Sequence, residues 1–351
     1  MVAAKIMRLP GAFFGWLVLA GAAGGQGPSP SSPPASQAGQ IRVEVNVVNV
    51  PVTVTDAAGR FIMDLEQKDF QVWEDGAAVE VRYFARDPKQ AVVVGFILDS
   101  SNAARLYFKT YQEAITDLAW ALMPGDNQNR GFLVAYHTQA DYLVKPTTDG
   151  ELIVEKIRKL KPGGGSAMLD AVYGACTKFF SVRGQPREPK RVLILVGDGH
   201  DNNSKVSLEQ AIEAAQRAQV VIYAVSTVAY GFNEPEEQNL VRLAEETGGR
   251  VERPLQKIHT KVSGYLSTPS DEGNYAYKVG TGQYAAELAG KIYKAITDVT
   301  GDIIHQYVLG YASPTPFTDA KFRSIKVEVS LKNADVKLRA RKGYFPPLPT
   351  R

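Results

Sequence analysis

The stretch that decides the fold is VVVGFILDSSNAAR, residues 92–105. Its apolar run has no polar alternation, which is typical of a strand buried on both faces of a sheet. The run ends at Asp99, and three polar residues follow before helical spacing begins. Asp99 and Ser101 are therefore expected in a strand-to-helix turn, where open α/β sheets bind ligands. Two interpretations stay open here: these oxygens bind a cation, or Asp99 ends the strand and a Ser or Asn caps the helix.

Composition narrows the class of protein. The 351 residues suggest roughly two domains. A hydrophobic content of 44% and a charged content of 22% are ordinary for a globular protein. The net charge of +3 is small and no dense Lys/Arg run occurs, so no nucleic-acid partner is expected. The single cysteine, Cys176, excludes an intrachain disulfide, and its helical apolar surroundings predict a buried small hydrophobe.

The first residues resemble a secretory signal. Lys5 and Arg8 precede the apolar stretch 11–23, which is short for a membrane span and ends in small residues. We predict a signal peptide at residues 1–25, with an uncleaved anchor as the alternative. Residues 26–40, rich in Pro and Ser, read as a disordered linker. The protein is thus expected to be exported to the periplasm or outside the cell, with no transmembrane helix in the mature chain.

Strands and helices alternate through the middle of the chain. The alternation predicts an α/β domain over residues 90–302, with a mostly parallel, doubly wound sheet and helices on both faces. Residues 141–147 read as a short edge strand, and 284–300 as the last helix. The irregular stretch 255–283 is long for a connection, so it is either a functional loop or a variable insertion.

Alternating, valine-rich β segments flank this domain on both sides. Residues 41–89 contain a hairpin signal at Glu74–Gly76, and residues 303–347 return to alternating strands. Neither half has enough strands to bury a sheet face alone. We therefore expect both halves to form one small β-sandwich, with the α/β domain inserted between them.

Oxygen-bearing side chains recur after the buried strands. Asp99 and Ser101 lie on the first loop, Ser166 on a second loop after a glycine run, and Asp198 on a third. Hard cations such as Mg²⁺ prefer oxygen ligands, often with waters retained. Glycines 163–165 would let the second loop approach closely. The sequence therefore predicts a cation site from these four residues.

The three loops resemble the metal-ion-dependent adhesion site of the von Willebrand factor type A domain. That family has Asp-x-Ser-x-Ser, then a Thr, then an Asp. Asp99, Ser101, Ser166 and Asp198 match in order, but Ala103 stands where the family has a hydroxyl. The segments before and after the α/β region also resemble those of secreted bacterial proteins related to this family.

The resemblance implies a non-enzymatic binding or adhesion module. It would bind a protein ligand through an acidic side chain at a divalent cation, Mg²⁺ or else Mn²⁺ or Ca²⁺. With Ala103 the site is degenerate, so binding is expected to be weak or absent. The resemblance does not fix the partner, and the oligomeric state is not predicted.

Two other functions are considered. One is a structural envelope protein whose metal site is vestigial. The other is a phosphatase like the haloacid dehalogenases, suggested by Asp99 and by the Gly197–Asp201 loop. That family places a second Asp as general acid two residues after the nucleophile, where this chain has Ser101. Nucleotide-binding glycine motifs are absent from the sequence.

Overall fold

A computed structural model describes residues 47–125, 128–180, 188–228, 235–256, 282–331 and 336–346. The signal peptide, the linker, residues 41–46 and most of the 255–283 stretch lie outside these residues. The strands are β1 Val47–Asp56, β2 Phe70–Glu74, β3 Ala77–Val79, β4 Val81–Ala85, β5 Val92–Asp99, β6 Arg130–Tyr136, β7 Ala140–Thr147, β8 Lys190–Gly197, β9 Val221–Ser226, β10 Val251–Glu252, β11 Tyr307–Ala312, β12 Arg323–Val329, β13 Val336–Ala340 and β14 Gly343–Tyr344. The helices are α1 Phe108–Leu122, α2 Gly150–Lys159, α3 Met168–Phe179, α4 Leu208–Arg217, α5 Glu237–Thr247 and α6 Gly282–Ile304.

A six-stranded sheet forms the centre of the α/β region, in the order β10-β9-β8-β5-β6-β7. Strand β5 pairs in parallel with β6 and β8, whereas β7 is an antiparallel edge strand. Phe96 and Leu98 pack on one face with α1, α2 and α6, and Ile97 packs on the other with α3, α4 and α5. Burial on both faces explains why β5 is continuously apolar, and the predicted fold class is confirmed.

The flanking strands form two four-stranded antiparallel sheets, ordered β13-β1-β11-β4 and β14-β12-β2-β3. Strand β1 pairs with β11 and β13, and β12 pairs with β2, so both ends of the chain contribute to both sheets. Their inner faces share one apolar core that includes Val50, Phe70 and Tyr307. The predicted shared sandwich is therefore present. The hairpin β2–β3 turns at Asp75 and Gly76, both with positive φ.

The sandwich and the α/β region belong to one compact unit, residues 44–351. The buried Lys190 Nζ, at the start of β8, donates to the Ile303 carbonyl at 2.8 Å, at the end of α6. A cation is favourable there because a helix C-terminus carries partial negative charge. The boundaries between residues 89 and 90 and between 302 and 303 stay predictions. No helix among the described residues is long and apolar enough to cross a membrane.

Two local features differ from the sequence-based expectation. Helix α1 begins at Phe108, because residues Ala103–Leu106 form a 3-10 turn and Tyr107, with φ −116° and ψ 10°, interrupts the helix. Helix α6 is longer than predicted at both ends. Cys176 is buried on α3, in agreement with the prediction from its apolar surroundings.

Candidate metal site

The site lies where β5 and β8 end side by side at the carboxyl edge of the central sheet. The two strands are parallel neighbours, with Leu98 opposite Val196. Asp99 is the last residue of β5, and Asp198 directly follows β8. This register brings two carboxylates to adjacent loops, as expected at the ligand-binding edge of an open α/β sheet.

The first loop is fixed by backbone hydrogen bonds that leave two side-chain oxygens without partners. Ser100 donates from its N–H and its hydroxyl to the Tyr136 carbonyl, both at 2.9 Å. The Ser101 N–H donates to Asp99 Oδ1 at 2.7 Å. Asp99 and Ser101 are 4% and 3% exposed, yet Asp99 Oδ2 and Ser101 Oγ have no hydrogen-bond partner among the described residues. Buried polar atoms in this state usually indicate a missing water or ion.

The second loop is tied to the third through Ser166. Its N–H donates to Asn202 Oδ1 at 2.9 Å, and its carbonyl accepts from the N–H groups of Asn202 and Asn203. Its hydroxyl donates to the His200 carbonyl at 2.6 Å. Because that bond uses the hydroxyl hydrogen, the remaining lone pairs of Ser166 Oγ are available to a cation. Asp198 Oδ1 accepts from the His200 N–H at 2.9 Å, which fixes the turn of the third loop that carries the Asp198 carboxylate.

Glycine is required where the loops meet. The Asn102 N–H donates to the Gly164 carbonyl at 3.1 Å, which joins the first loop to the second. Gly164 has φ +85°, a conformation that L side chains rarely adopt. A Cβ on Gly165 would stand 2.1 Å from Asn203 Oδ1, so the Asn203 side chain would have to move to admit it.

The electrostatics of the site favour a bound cation. Burial, with a smaller contribution from the charge of Asp198, raises the pKa of Asp99 to about 6, against the opposing hydrogen bond from the Ser101 N–H and the charge of His200. Among the described residues, no Lys or Arg forms an ion pair with Asp99 or Asp198. A divalent cation between these loops would therefore supply the positive charge that the protein does not.

The donor set fits a hard cation. Two carboxylates and two hydroxyls supply only oxygen, the ligand type of Mg²⁺, Mn²⁺ and Ca²⁺. The part of the chain that the structure describes holds no cluster of three His, Cys, Asp or Glu residues suited to a metal. Ala103 is exposed in the 3-10 turn after the first loop and has no side-chain oxygen to contribute. The four predicted residues thus lie on three joined loops, while their coordination of a cation stays a prediction.

Sequence reasoning missed several residues that shape the site. Asn202 and the backbone of His200 orient Ser166, and Tyr136 is wholly buried beneath the loops. The polar run DGHDNN after β8 was a usable signal for the first two, because Asx side chains commonly bond to nearby backbone. Tyr136 gave no signal, since it ends an ordinary apolar strand.

Comparison with known proteins identifies the segment that carries these loops. Residues 94–258 match the family model of the von Willebrand factor type A domain. This chain contains a von Willebrand factor type A domain. The matched residues include all four predicted site residues and the central strands from Val94 in β5 to the end of β10, and the sandwich strands lie outside the matched segment.

Two curated relatives are proteins of the UPF0353 family. The one from Mycolicibacterium gilvum (strain PYR-GCK) is 25% identical over 264 residues, covering 66% of this chain and 77% of that protein. The one from Mycolicibacterium vanbaalenii (strain DSM 7251) is 28% identical over 158 residues, and the alignment covers 42% of this chain and 46% of that protein. The match thus spans less than half of the second relative.

Two solved structures are also similar to the chain. One is proximal thread matrix protein 1 from the mussel byssus, with a zinc-occupied MIDAS motif, which is 18% identical with a TM-score of 0.45. The superposition covers 66% of this chain and 50% of that protein. The other is the conserved hypothetical protein BatB from Bacteroides thetaiotaomicron, which is 16% identical with a TM-score of 0.38. The superposition covers 57% of this chain and 99% of that protein.

Proposed function

We propose that this chain is an exported, non-enzymatic binding module that presents a divalent cation to a protein ligand. Asp99, Ser101, Ser166 and Asp198 would hold the cation, and an acidic side chain of the ligand would complete its coordination. The observation that carries the proposal is the pair of buried, unpartnered oxygens, Asp99 Oδ2 and Ser101 Oγ. Two such atoms on one loop are costly unless a further group satisfies them.

The residues of the von Willebrand factor type A domain have separate roles in this proposal. Asp99 and Asp198 would supply charge, and Ser101 and Ser166 would supply neutral oxygens. The cation would supply positive charge and an open coordination position for the ligand's carboxylate. The backbone bonds that hold Ser166 against the third loop support preorganisation, because its oxygen cannot turn away without breaking them.

Proteins with this domain are generally non-enzymatic binding modules, which supports the choice of binding over catalysis. The phosphatase alternative needs a general acid two residues after Asp99, and Ser101 cannot fill that role at neutral pH. We expect no release of phosphate from aryl phosphates in the presence of Mg²⁺. Turnover that depends on Asp99 would favour the phosphatase instead.

The structural alternative, an envelope protein with a vestigial site, is favoured by one observation. Ala103 is solvent-exposed and offers no oxygen, so at least one coordination position must be filled by water or remain weak. Cation binding by the purified full-length chain separates this alternative from ours. Export is proposed from the composition of residues 1–25 and 26–40, and the mass of the mature N-terminus would test it.

The variant Ala103→Ser is expected to bind Mg²⁺ and Mn²⁺ more tightly than the wild-type protein. A hydroxyl at this position would replace a water with a preorganised ligand, and a tenfold gain in affinity corresponds to about 1.4 kcal/mol. Isothermal titration calorimetry measures both dissociation constants. Leu106→Ser, which adds a hydroxyl to the same exposed turn away from the loop, should leave them unchanged. The absence of a binding heat for all three proteins would favour the vestigial site.

A further inference from the structure

Tyr136 ends strand β6 directly beside the first loop. It pairs in register with Asp99 and is 0% exposed. Its hydroxyl donates to the Val196 carbonyl at 3.3 Å, which is long for a bond from a hydroxyl. Its hydrogen is therefore only weakly held by β8 and can be shared with another acceptor.

The Tyr136 hydroxyl occupies space that Gly197 leaves open. A Cβ built on Gly197 would stand 2.0 Å from the Tyr136 hydroxyl oxygen and 3.4 Å from Asp99 Cβ. The hydroxyl and the first carbon of the Asp99 side chain are therefore near neighbours. Gly197 does not have a positive φ, so glycine is needed here for space rather than for backbone conformation.

We propose that Tyr136 is a positioning residue of the cation site, whose hydroxyl hydrogen-bonds with the Asp99 carboxylate and keeps Oδ2 turned toward the cation. This inference rests on the proposed function. Groups that orient a metal ligand from behind commonly change metal affinity by 10–100-fold when removed. Tyr136 is suited to the role because it is the residue opposite Asp99 in the parallel pair β5–β6.

The hydroxyl stays a donor under the conditions of binding. An ordinary phenol has a pKa of about 10, well above neutral pH. The phenol therefore keeps its proton at neutral pH. A neutral donor beneath a carboxylate steadies it without taking the place of the cation above.

Three variants test the inference. Tyr136→Phe removes the hydroxyl and should weaken Mg²⁺ and Mn²⁺ binding about tenfold. Gly197→Ser in the Tyr136→Phe background returns a hydroxyl to the vacated space and should recover most of the loss. Gly197→Ala in the same background fills that space without a donor and should not. Tyr223→Phe is the matched control, because Tyr223 is equally buried and its hydroxyl accepts from Gln306 away from the site.

Affinities are measured by calorimetry on the full chain, with thermal unfolding in EDTA to report that each variant folds. Equal affinity of Tyr136→Phe and wild type would overturn the inference while leaving the cation site intact. Equal recovery by the Gly197→Ala and Gly197→Ser double variants would overturn it as well, since a donor would not be needed. If Tyr136→Phe folds poorly, the two double variants, which fill the space alike, still decide. A wild-type protein that binds neither cation would instead overturn the proposed function, and this inference with it.

Discussion

At pH 7.5 in EDTA, the Asp99→Asn variant is expected to unfold at a higher temperature than the wild-type protein. Burial raises the pKa of Asp99 from 3.8 to about 6, so ionising this carboxyl costs more in the folded than in the unfolded state. The cost above pH 6 is on the order of 3 kcal/mol. Asparagine keeps the acceptor for the Ser101 N–H and carries no charge. Its amide adds donors that need partners, so we expect a gain of roughly 1–3 kcal/mol.

The pH dependence of this gain follows from the raised pKa. Below pH 3.8 Asp99 is protonated in both states, so the two proteins should differ least. The gain should grow between pH 3.8 and about 6, as the unfolded chain loses its proton first, and stay constant at higher pH. Unfolding temperatures measured in EDTA from pH 3.5 to pH 8 check this. A gap that is constant over the whole range would show that the Asp99 charge does not destabilise the fold.

Adding Mg²⁺ is expected to reverse the order of the two proteins. A ligand that binds only the folded state stabilises it by about 4.1 kcal/mol at one thousand times its dissociation constant, which exceeds the gain of roughly 1–3 kcal/mol expected for Asp99→Asn in EDTA. The wild-type protein should gain this stability, whereas Asp99→Asn, which lacks the charged ligand, should gain none. Asp298→Ala, on α6 outside the site, should respond as wild type does. An equal rise for Asp99→Asn would contradict the assignment of Asp99 to the cation.

The fold and the placement of the four candidate residues on adjoining loops were predictable from sequence because their signals are local. The apolar run from Val92 to Leu98 marks a strand buried on both faces, and Asp99 ends it. Asp198 likewise follows a buried strand, and parallel strands place such residues at one edge. Secondary-structure type and chain order therefore suffice to bring the loops together, without knowledge of any long-range contact.

Other features depend on contacts that no local pattern encodes. Tyr136 ends the apolar run of β6, and only the register of β6 against β5 puts its hydroxyl beside Asp99. Gly197 was a partial signal, because glycine in a strand marks a close approach without naming its partner. The late start of α1 was missed, since a single 3-10 turn at Ala103–Leu106 keeps nearly helical spacing.

The role of Asp302 also depends on contacts that no local sequence pattern encodes. Its replacement should have the largest effect on stability. Its side chain is 1% exposed and lies 2.7 Å from Arg250 Nε and 2.6 Å from Arg339 Nη2, on β13 of the sandwich. Burial raises the pKa of Asp302, and the two guanidinium groups oppose this. Asp302→Ala would leave both guanidiniums without their shared partner. We expect a loss of about 3–5 kcal/mol in the free energy of unfolding, measured by urea titration.

The control for this prediction lies one turn earlier on the same helix. Asp298 pairs with Lys294 at 2.5 Å, but their side chains are 35% and 73% exposed, so Asp298→Ala should cost under about 1 kcal/mol. Replacing the buried Asp302 together with its two partly exposed partners, by Asp302→Leu with Arg250→Met and Arg339→Met, should restore much of the loss, because an apolar cluster needs no charge partners. Asp302→Ala should leave cation affinity unchanged, because Asp302 and the cation site lie at opposite ends of β8. The neighbour of Asp302, Ile303, accepts a hydrogen bond from Lys190 at the start of β8, whereas Asp198 follows the end of that strand. Equal costs for Asp302→Ala and Asp298→Ala would mean that the ion pairs of the buried Asp302 do not join the sandwich to the α/β region.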